Sequence, residues 1–237
     1  MPQPTELDRL SVTTYLTPDD PEIAALCEDG NSRFRKIGES QFPRVIIISG
    51  PSGVGKDSVI EKLRVVYPDA QYVVTATSRP MRPEEINGVH YIFLDRDEFE
   101  RQIEEGEFIE HALVYENLYG VPKRPIQEAL QRGQHVIIKV DVKGAATLRR
   151  KISNTASLFL LPESMESLFY RLRDRKTEKD SVLRKRFRTA CEELERVGEF
   201  DYVVCNESNK LDDALDNIVA IIEAEQRRVG QHPIALK

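Results

Sequence analysis

The chain has 237 residues, of which 40% are apolar and 31% are charged. These proportions are typical of a globular domain, and no apolar run in the sequence reaches the ~18–20 residues that a membrane-spanning helix requires. The net charge of −6 argues against a general nucleic-acid-binding protein.

The cysteines and histidines are too scattered to predict a structural metal site. The three cysteines (Cys27, Cys191 and Cys205) have no metal-like spacing, and the four histidines form no cluster with them. Unpaired thiols of this kind are typical of a reducing compartment. We expect a cytoplasmic protein, with a plastid or mitochondrial location left open.

Residues 1–43 differ in composition from the rest of the chain. The segment is net negative, whereas a transit peptide is rich in Arg and poor in acidic residues. Within it, the sequence DPEIAALCEDG predicts a short helix that Asp20 caps, that Pro21 begins and that Gly30 ends. We expect a partly ordered extension without a catalytic role.

From Arg44 onward, apolar strand-like runs alternate with helical patterns. The runs RVIIISG, HVIIKVD, SLFLL and DYVVCN predict buried strands, each followed by a helix. This alternation predicts an α/β fold, with a parallel sheet covered by helices on both faces.

The alternation is interrupted twice, and the interruptions divide the domain. We predict a core of residues 44–72 and 126–228, an α+β insertion over 73–125, a short helical lid at about 173–185, and a tail over 229–237. The surroundings of the lid are basic, since residues 171–188 include nine Lys or Arg and three Asp or Glu. Such a segment on an acidic protein suggests a small polyanionic ligand.

The stretch GPSGVGKDS lies between a predicted strand and a predicted helix. Gly50, Gly55 and Lys56 satisfy G-x-x-x-x-G-K, in which backbone N–H groups and the helix N-terminus surround a phosphate. The stretch therefore predicts a nucleoside triphosphate site. Its members are Gly50, Pro51, Ser52, Gly53, Val54, Gly55, Lys56, Asp57 and Ser58.

The insertion carries residue types that suit a phosphate monoester. Arg79 and Arg82 stand three residues apart and are followed by Tyr91, while Glu110 and Tyr119 lie further along. Guanidinium groups bind phosphate oxygens in pairs. Together these residues predict a phosphate-bearing acceptor.

In combination, these motifs resemble the guanylate kinases, from Arg44 to about Arg228. The matching pieces are GPSGVGK, R-x-x-R, ING-x-x-Y, GEFIE, YG, NKLDDAL, and the lid with its three arginines, Arg171, Arg175 and Arg186. The resemblance implies that a phosphate loop binds ATP, that Mg²⁺ assists, and that GMP or dGMP accepts the phosphoryl group. We expect no nucleic acid, membrane or obligate protein partner.

The resemblance also implies individual roles. Lys56 and the lid arginines would act on the ATP phosphates, and Asn206 would lie by the adenine. Apart from the resemblance, we expect Asp57 or Ser58 to hold Mg²⁺, because oxygen ligands suit this hard cation. Two sets of residues would form the nucleotide sites together with the phosphate loop. The lid arginines are Arg171, Arg175 and Arg186. The GMP-binding residues are Thr75, Arg79, Arg82, Tyr91, Glu110, Tyr119 and Asp141.

Three positions depart from the family pattern. Asp57 stands where Ser is usual, Lys139 where an acidic residue is common, and Val121 where a hydroxyl residue is usual. We predict that Asp57 and Lys139 lie opposite each other, so that the local charge is retained. Two alternatives stay open: a ribose 1,5-bisphosphate phosphokinase, and a non-catalytic guanylate-kinase-like binding module.

Overall fold

The computed structural model describes residues 17–39, 42–114, 116–174, 180–229 and 232–236, although not the side chains at 36–39. Two compact units comprise residues 1–41 and 42–237. The helices are α1 (Pro21–Glu39), α2 (Lys56–Val66), α3 (Arg96–Glu104), α4 (Lys123–Gln131), α5 (Val142–Lys151), α6 (Met165–Arg173), α7 (Asp180–Leu194) and α8 (Leu211–Gln226). The strands are β1 (Val45–Ser49), β2 (Gln71–Val73), β3 (Ala76–Thr77), β4 (Ile92–Phe93), β5 (Phe108–Val114), β6 (Asn117–Pro122), β7 (Val136–Lys139), β8 (Thr155–Pro162) and β9 (Tyr202–Asn206).

Helix α1 begins as the sequence predicts but continues past the predicted end. The Asp20 carboxylate accepts hydrogen bonds from the backbone N–H groups of Glu22 and Ile23, at 3.0 and 3.3 Å. The prediction that Gly30 ends the helix is wrong, because the helix runs to Glu39. Gly30 does not adopt the positive φ of a helix-ending glycine. An ion pair between Asp29 and Arg33, at 2.8 Å, supports the turn around it.

A five-stranded sheet forms the centre of the second unit. Its strand order is β2-β7-β1-β8-β9, and every neighbouring pair is parallel. The predicted parallel sheet is therefore confirmed. Since all five strands point the same way, their carboxyl ends lie along one edge, where ligands of such sheets bind.

Alternate residues of β1 contribute to two hydrophobic cores, one on each face of the sheet. Ile46 and Ile48 pack in the core that contains residues of α2, α6, α7 and α8. Val45 and Ile47 pack in the core that contains residues of α4 and α5. All four are fully buried, which explains why β1 is a continuous apolar run. The prediction of helices on both faces is confirmed.

A second, four-stranded sheet lies between β2 and α4 in the chain, in the order β4-β3-β6-β5. Its own small core contains Phe99 of α3 stacked on Phe108 of β5, with ring centroids 4.7 Å apart. Strand β4 of this sheet is short and comprises only Ile92–Phe93. The residues before it form a turn, in which Gly88 has a φ of 78° and the Asn87 side chain accepts a hydrogen bond from the Phe93 N–H at 2.9 Å. None of the described helices is both long enough and apolar enough to cross a lipid bilayer.

Candidate active site

The phosphate loop follows β1 directly and adopts a conformation that only glycine tolerates well. Gly50, Gly53 and Gly55 have φ values of 141°, 89° and 98°. A Cβ atom on Gly50 would lie 2.5 Å from the Leu160 carbonyl oxygen, and one on Gly55 would lie 2.5 Å from the Asn206 side-chain nitrogen. The backbone therefore forms a close-fitting loop in which the amides stay accessible to an anion.

Lys56 begins α2 and turns back over the loop. Its amine donates hydrogen bonds to the carbonyl oxygens of Gly50 at 2.7 Å and Pro51 at 3.1 Å. Burial lowers the pKa of Lys56, while the nearby carboxylates of Glu193 and Asp57 act in the opposite direction. A cation is thus held at the mouth of the amide loop before any ligand arrives.

Helix α7 contributes two side chains to the same loop. Arg186 donates a hydrogen bond to the Ser52 hydroxyl at 2.8 Å. The Glu193 carboxylate accepts one from the Ser52 backbone N–H at 3.3 Å. Burial raises the pKa of Glu193, while Lys56 opposes that shift. Glu193 cannot be recognised as a site residue from the sequence, because a single Glu in a charged helix carries no signal of a contact 141 residues away.

Arg171 and Asn206 tie the loop to the end of β9. The Asn206 side chain donates to the Val54 carbonyl at 2.7 Å. The Arg171 guanidinium donates to the same carbonyl at 3.3 Å, to the Asn206 carbonyl at 3.0 Å and to the Ser208 hydroxyl at 3.1 Å. The third predicted lid arginine, Arg175, lies outside the described residues.

The predicted pairing of Asp57 with Lys139 is confirmed. The Lys139 amine donates to the Asp57 carboxylate at 2.5 Å. The Asp57 side chain is 66% exposed, whereas that of Lys139 is 16% exposed. Ser58 is also exposed, on the first turn of α2. One carboxylate thus stands at the mouth of the phosphate loop with a counter-charge already in place.

On the four-stranded sheet, Arg79 lies against two tyrosines. Its guanidinium carbon is 5.0 Å from the ring centroid of Tyr91, which meets the ring of Tyr119 edge-on at 6.1 Å. The Glu85 carboxylate accepts two hydrogen bonds from Arg79, at 2.7 and 2.5 Å, and one from the backbone N–H of Arg82 at 2.8 Å. Arg79 and Glu85 are mostly buried, with side chains 11% and 10% exposed.

Glu85 therefore occupies the anion-binding face of the predicted phosphate site. Arg79 holds the pKa of Glu85 below its ordinary value through these hydrogen bonds. Glu85 is not among the residues predicted from the sequence, although it follows Arg82 at i+3. The Arg82 side chain is exposed at the same corner.

Glu110 is buried in the cleft beside Asp141. It is 5% exposed, and burial, followed by the charge of Asp141, raises its pKa to about 7. Within the described part of the chain, no group donates a hydrogen bond to this carboxylate. Thr75 and Val121 are also buried, and Val121 lies opposite Glu110 in the β5–β6 register.

Asp141 and Glu110 lie close to each other beside Gly144. Asp141 caps α5 by accepting a hydrogen bond from the Gly144 N–H at 2.7 Å. A Cβ on Gly144 would lie 3.3 Å from the Asp141 carboxylate and 3.4 Å from the Glu110 carboxyl carbon, which is tight for both. The charge of Asp141 also partly opposes the burial that lowers the pKa of Lys56, so Asp141 is near enough to act on both parts of the cleft.

The arrangement suits the binding of two phosphate-bearing ligands. One side offers backbone amides and Lys56, and the other offers Arg79 with tyrosine hydroxyls and a buried carboxylate. Among the described residues, no group of three or more His, Cys, Asp or Glu side chains forms a self-sufficient metal site. A cation here would need oxygen ligands from a bound phosphate or from water.

Comparisons with known proteins agree with this geometry. The sequence profile described as guanylate kinase matches residues 42–225. Guanylate kinase 2, chloroplastic/mitochondrial, of Oryza sativa subsp. japonica is 43% identical over 193 residues, which are 81% of this chain and 68% of that protein. The guanylate kinase of Carboxydothermus hydrogenoformans is 41% identical over 182 residues, covering 77% of this chain and 88% of that one.

A solved structure is similar over most of the second unit. The crystal structure of guanylate kinase from Anaplasma phagocytophilum aligns with a TM-score of 0.66 at 30% sequence identity. The alignment covers 80% of this chain and 89% of that one.

Proposed function

The chain belongs to the guanylate kinase family of nucleoside monophosphate kinases, and we propose that it transfers the γ-phosphoryl group of ATP to GMP or dGMP. The observation that carries the choice of GMP is the buried carboxylate of Glu110, 5% exposed and without a hydrogen-bond donor among the described residues. A carboxylate buried in this way needs a ligand that brings N–H groups.

Guanine supplies the groups that Glu110 lacks. Its N1–H and 2-amino group point along one edge of the base and can both donate to one carboxylate. Adenine has neither group, so its binding would leave Glu110 buried and unpaired, a mismatch that such sites reject by up to ~10⁴-fold. Asp141 and Thr75 complete the base pocket in this proposal, beside Glu110.

The acceptor phosphate would be bound by Arg79, Arg82, Tyr91 and Tyr119. Arg79 and the two tyrosines already lie together, and Arg82 is at the same corner. Because Glu85 uses the anion-binding face of Arg79, GMP must share or displace that carboxylate. The bidentate contact indicates that Arg79 is oriented for a two-oxygen anion.

The donor phosphates would be bound by the loop from Gly50 to Ser58, and Lys56 would lie against the β- and γ-phosphates. Arg171 and Arg186, with Arg175 from outside the described residues, would balance the phosphate charge, and Asn206 would lie by the adenine. Glu193 holds the Ser52 N–H, so ATP must replace this contact as it enters the loop.

The residues at the loop mouth fit a magnesium ion. Asp57 offers an exposed carboxylate, Ser58 an exposed hydroxyl, and Mg²⁺ usually combines one or two carboxylates with phosphate and water. When bound, the ion neutralises charge on the phosphate oxygens. The protein's contribution is to orient Asp57, which Lys139 does through the hydrogen bond at 2.5 Å.

Phosphoryl transfer needs little covalent help from the protein. An oxygen of the acceptor phosphate attacks the γ-phosphorus while the bond to the β–γ bridging oxygen breaks, and ADP leaves with that electron pair. Positioning of the two nucleotides and positive charge around the equatorial oxygens supply most of the rate. Closure of the insertion and the lid would exclude water as a competing acceptor.

An acceptor panel tests this function. Purified protein is assayed for ADP formation with ATP, Mg²⁺ and one of GMP, dGMP, AMP, UMP or ribose 1,5-bisphosphate. We expect turnover with GMP and dGMP, and with the others at least ~100-fold less. Turnover with ribose 1,5-bisphosphate alone would identify a sugar-phosphate kinase. Absence of turnover with every acceptor would support a binding module.

The substitution Glu110→Gln sharpens the panel. The variant keeps the size of the side chain, but its amide can accept only one of the two guanine hydrogen bonds. We expect the ratio of kcat/KM for GMP over AMP to fall by ~100-fold or more. A matched control is Glu105→Gln on the exposed surface, which should keep the ratio. An unchanged ratio in Glu110→Gln would overturn the assignment of guanine recognition.

A further inference from the structure

Lys139 lies between the two predicted phosphate sites and contacts both. It is the last residue of β7 and is paired in register with Ile48 of β1, two residues before Gly50. Its amine contacts Asp57 at 2.5 Å on the donor side, and lies 4.8 Å from the ring centroid of Tyr91 on the acceptor side. Arg79 approaches the same tyrosine ring at 5.0 Å.

The side chain of Lys139 is mostly buried, and its amine donates a hydrogen bond to the Asp57 carboxylate. Asp57 directly follows Lys56, whose amine lies over the phosphate loop. Two ammonium groups therefore share the space in which the γ-phosphate and the acceptor phosphate would meet.

One exposed carboxylate is a weak partner for such a cation once nucleotides bind. Asp57 is 66% exposed, and the proposed magnesium ion would compete with Lys139 for its oxygens. A mostly buried ammonium that loses part of its counter-charge needs another anion nearby. The phosphoryl oxygens between the two nucleotides are the anions that the proposed reaction brings to this position.

We propose that Lys139 is a catalytic residue that donates a hydrogen bond to the phosphoryl group during its transfer. This inference rests on the proposed function and deepens it. The bond from the γ-phosphorus to the bridging oxygen breaks, ADP keeps that electron pair, and a new bond forms to an acceptor phosphate oxygen. Lys139 keeps its protons throughout and stabilises the equatorial oxygens, as Lys56 does from the loop side.

The competing explanation is that Lys139 only neutralises Asp57. A double-mutant cycle separates the two, because the neutralising role disappears once residue 57 has no charge. The comparison is therefore made in the Asp57→Ser background, between Lys139 and the similarly sized uncharged side chains of Lys139→Met and Lys139→Gln. Using two replacements guards against a variant that fails to fold, which thermal unfolding reveals.

Steady-state kinetics with ATP and GMP gives the first measurement. In the Asp57→Ser background, we expect Lys139→Met and Lys139→Gln to lower kcat by at least ~10-fold with little change in the KM for GMP, and Lys139→Arg to retain most of kcat. The control is Lys62→Met, which removes a similar contact, to Asp212 at 2.8 Å, on the exposed side of α2. It should change kcat by less than about twofold.

Calorimetry without metal provides a measurement that does not depend on turnover. The probe is adenosine and guanosine joined by a five-phosphate chain, which spans both sites. In the Asp57→Ser background, we expect Lys139→Met to weaken the binding of this probe at least ~10-fold. The binding of GMP alone should weaken by less than ~3-fold.

The outcomes separate the inference from the function. In one outcome, the unmodified enzyme phosphorylates GMP, but Lys139→Met has no effect on kcat and probe affinity in the Asp57→Ser background. Lys139 is then only a neutralising group, so the inference is overturned while the function stands. If the unmodified enzyme does not phosphorylate GMP, both are overturned. A loss of kcat and probe affinity that persists without Asp57 supports the inference.

Discussion

The two sides of the cleft hold their charged groups in different ways. On the donor side, Lys56 is hydrogen-bonded to the backbone carbonyls of Gly50 and Pro51 within its own loop. On the acceptor side, Arg79 is held by the side chain of Glu85, and Glu110 lies near Asp141, which caps α5. Lys56 on the donor side is thus held by the backbone of its own loop, whereas the acceptor-side groups are held by, or lie beside, other side chains.

The difference indicates what each ligand must do on binding. A triphosphate enters a loop whose conformation exists beforehand, and displaces the Glu193 contact at its edge. A monophosphate must instead rearrange an ion pair and supply hydrogen bonds to a carboxylate whose pKa lies near 7. We therefore expect donor-side substitutions to reduce catalysis for every acceptor. The acceptor side should instead show properties that vary with pH and with the acceptor nucleotide.

The largest expected effect comes from Lys56→Met. Removing the cation that lies over the loop should lower kcat by ~10²–10³-fold, because the loss of one preorganised hydrogen-bond donor typically reduces kcat by that factor. Rates with GMP and dGMP should fall equally, and thermal unfolding should show an intact fold. A loss limited to one acceptor would contradict the assignment of Lys56 to the donor side.

The substitution Gly55→Ala tests whether backbone geometry governs the donor side. The new Cβ would meet the Asn206 side chain at 2.5 Å, and alanine is strained at a φ of 98°. We expect kcat/KM for ATP to fall by ~10–100-fold with GMP affinity nearly unchanged. Gly133→Ala is the matched control, with a φ of 71° but open space around it. Equal losses in both variants would show that strain alone, and not the contact with Asn206, matters.

The pKa of Glu110 predicts a pH dependence that belongs to the acceptor side. Guanine needs the ionised carboxylate, so the Kd for GMP should rise as pH falls below about 7, approaching tenfold per unit. The Kd for ATP should not follow this curve. Calorimetry from pH 5.5 to 8.5 measures both, and a GMP affinity that stays constant over this range would exclude Glu110 as the base-recognising group.

The same shift has a consequence for stability. Because the folded state raises the pKa of Glu110 above its ordinary value, this group favours folding most below pH 4.5 and loses that contribution as pH rises through about 7. Glu110→Gln should therefore increase the unfolding free energy more at pH 8 than at pH 5. Denaturant unfolding at the two pH values measures the difference, and an equal change at both would contradict the raised pKa.

The smallest expected effect is that of Glu85→Gln. Without Glu85, Arg79 is left mostly buried without its ion-pair partner, so the apo protein should lose a few degrees of Tm. GMP then supplies the missing anion, so saturating GMP should raise the Tm of the variant more than that of the unmodified protein. A smaller GMP-induced shift would mean that Glu85 orients Arg79 and does not compete with the phosphate.

Several features of the fold and site could be predicted from the sequence because they depend on neighbouring residues. The buried run before Gly50 predicted β1, and the glycine spacing predicted the loop that follows it. The Asp57–Lys139 pair was predicted from two joint departures from a family pattern, and its contact at 2.5 Å confirms it. The local signal at Gly30 was misleading, since glycine is tolerated inside a helix at ~1 kcal/mol.

By itself, the sequence determined the strand–helix alternation, the phosphate loop and the family, since each depends on short-range patterns of apolar residues and glycines. Apart from the Asp57–Lys139 pair, only the tertiary structure decided which partners the charged side chains meet. It brought Glu193 to Ser52 across 141 residues, and Tyr91 to Lys139. The physical reason is that a side-chain ion pair depends on the packing of strands and helices distant in the chain, whereas backbone conformation is set mainly by adjacent residues.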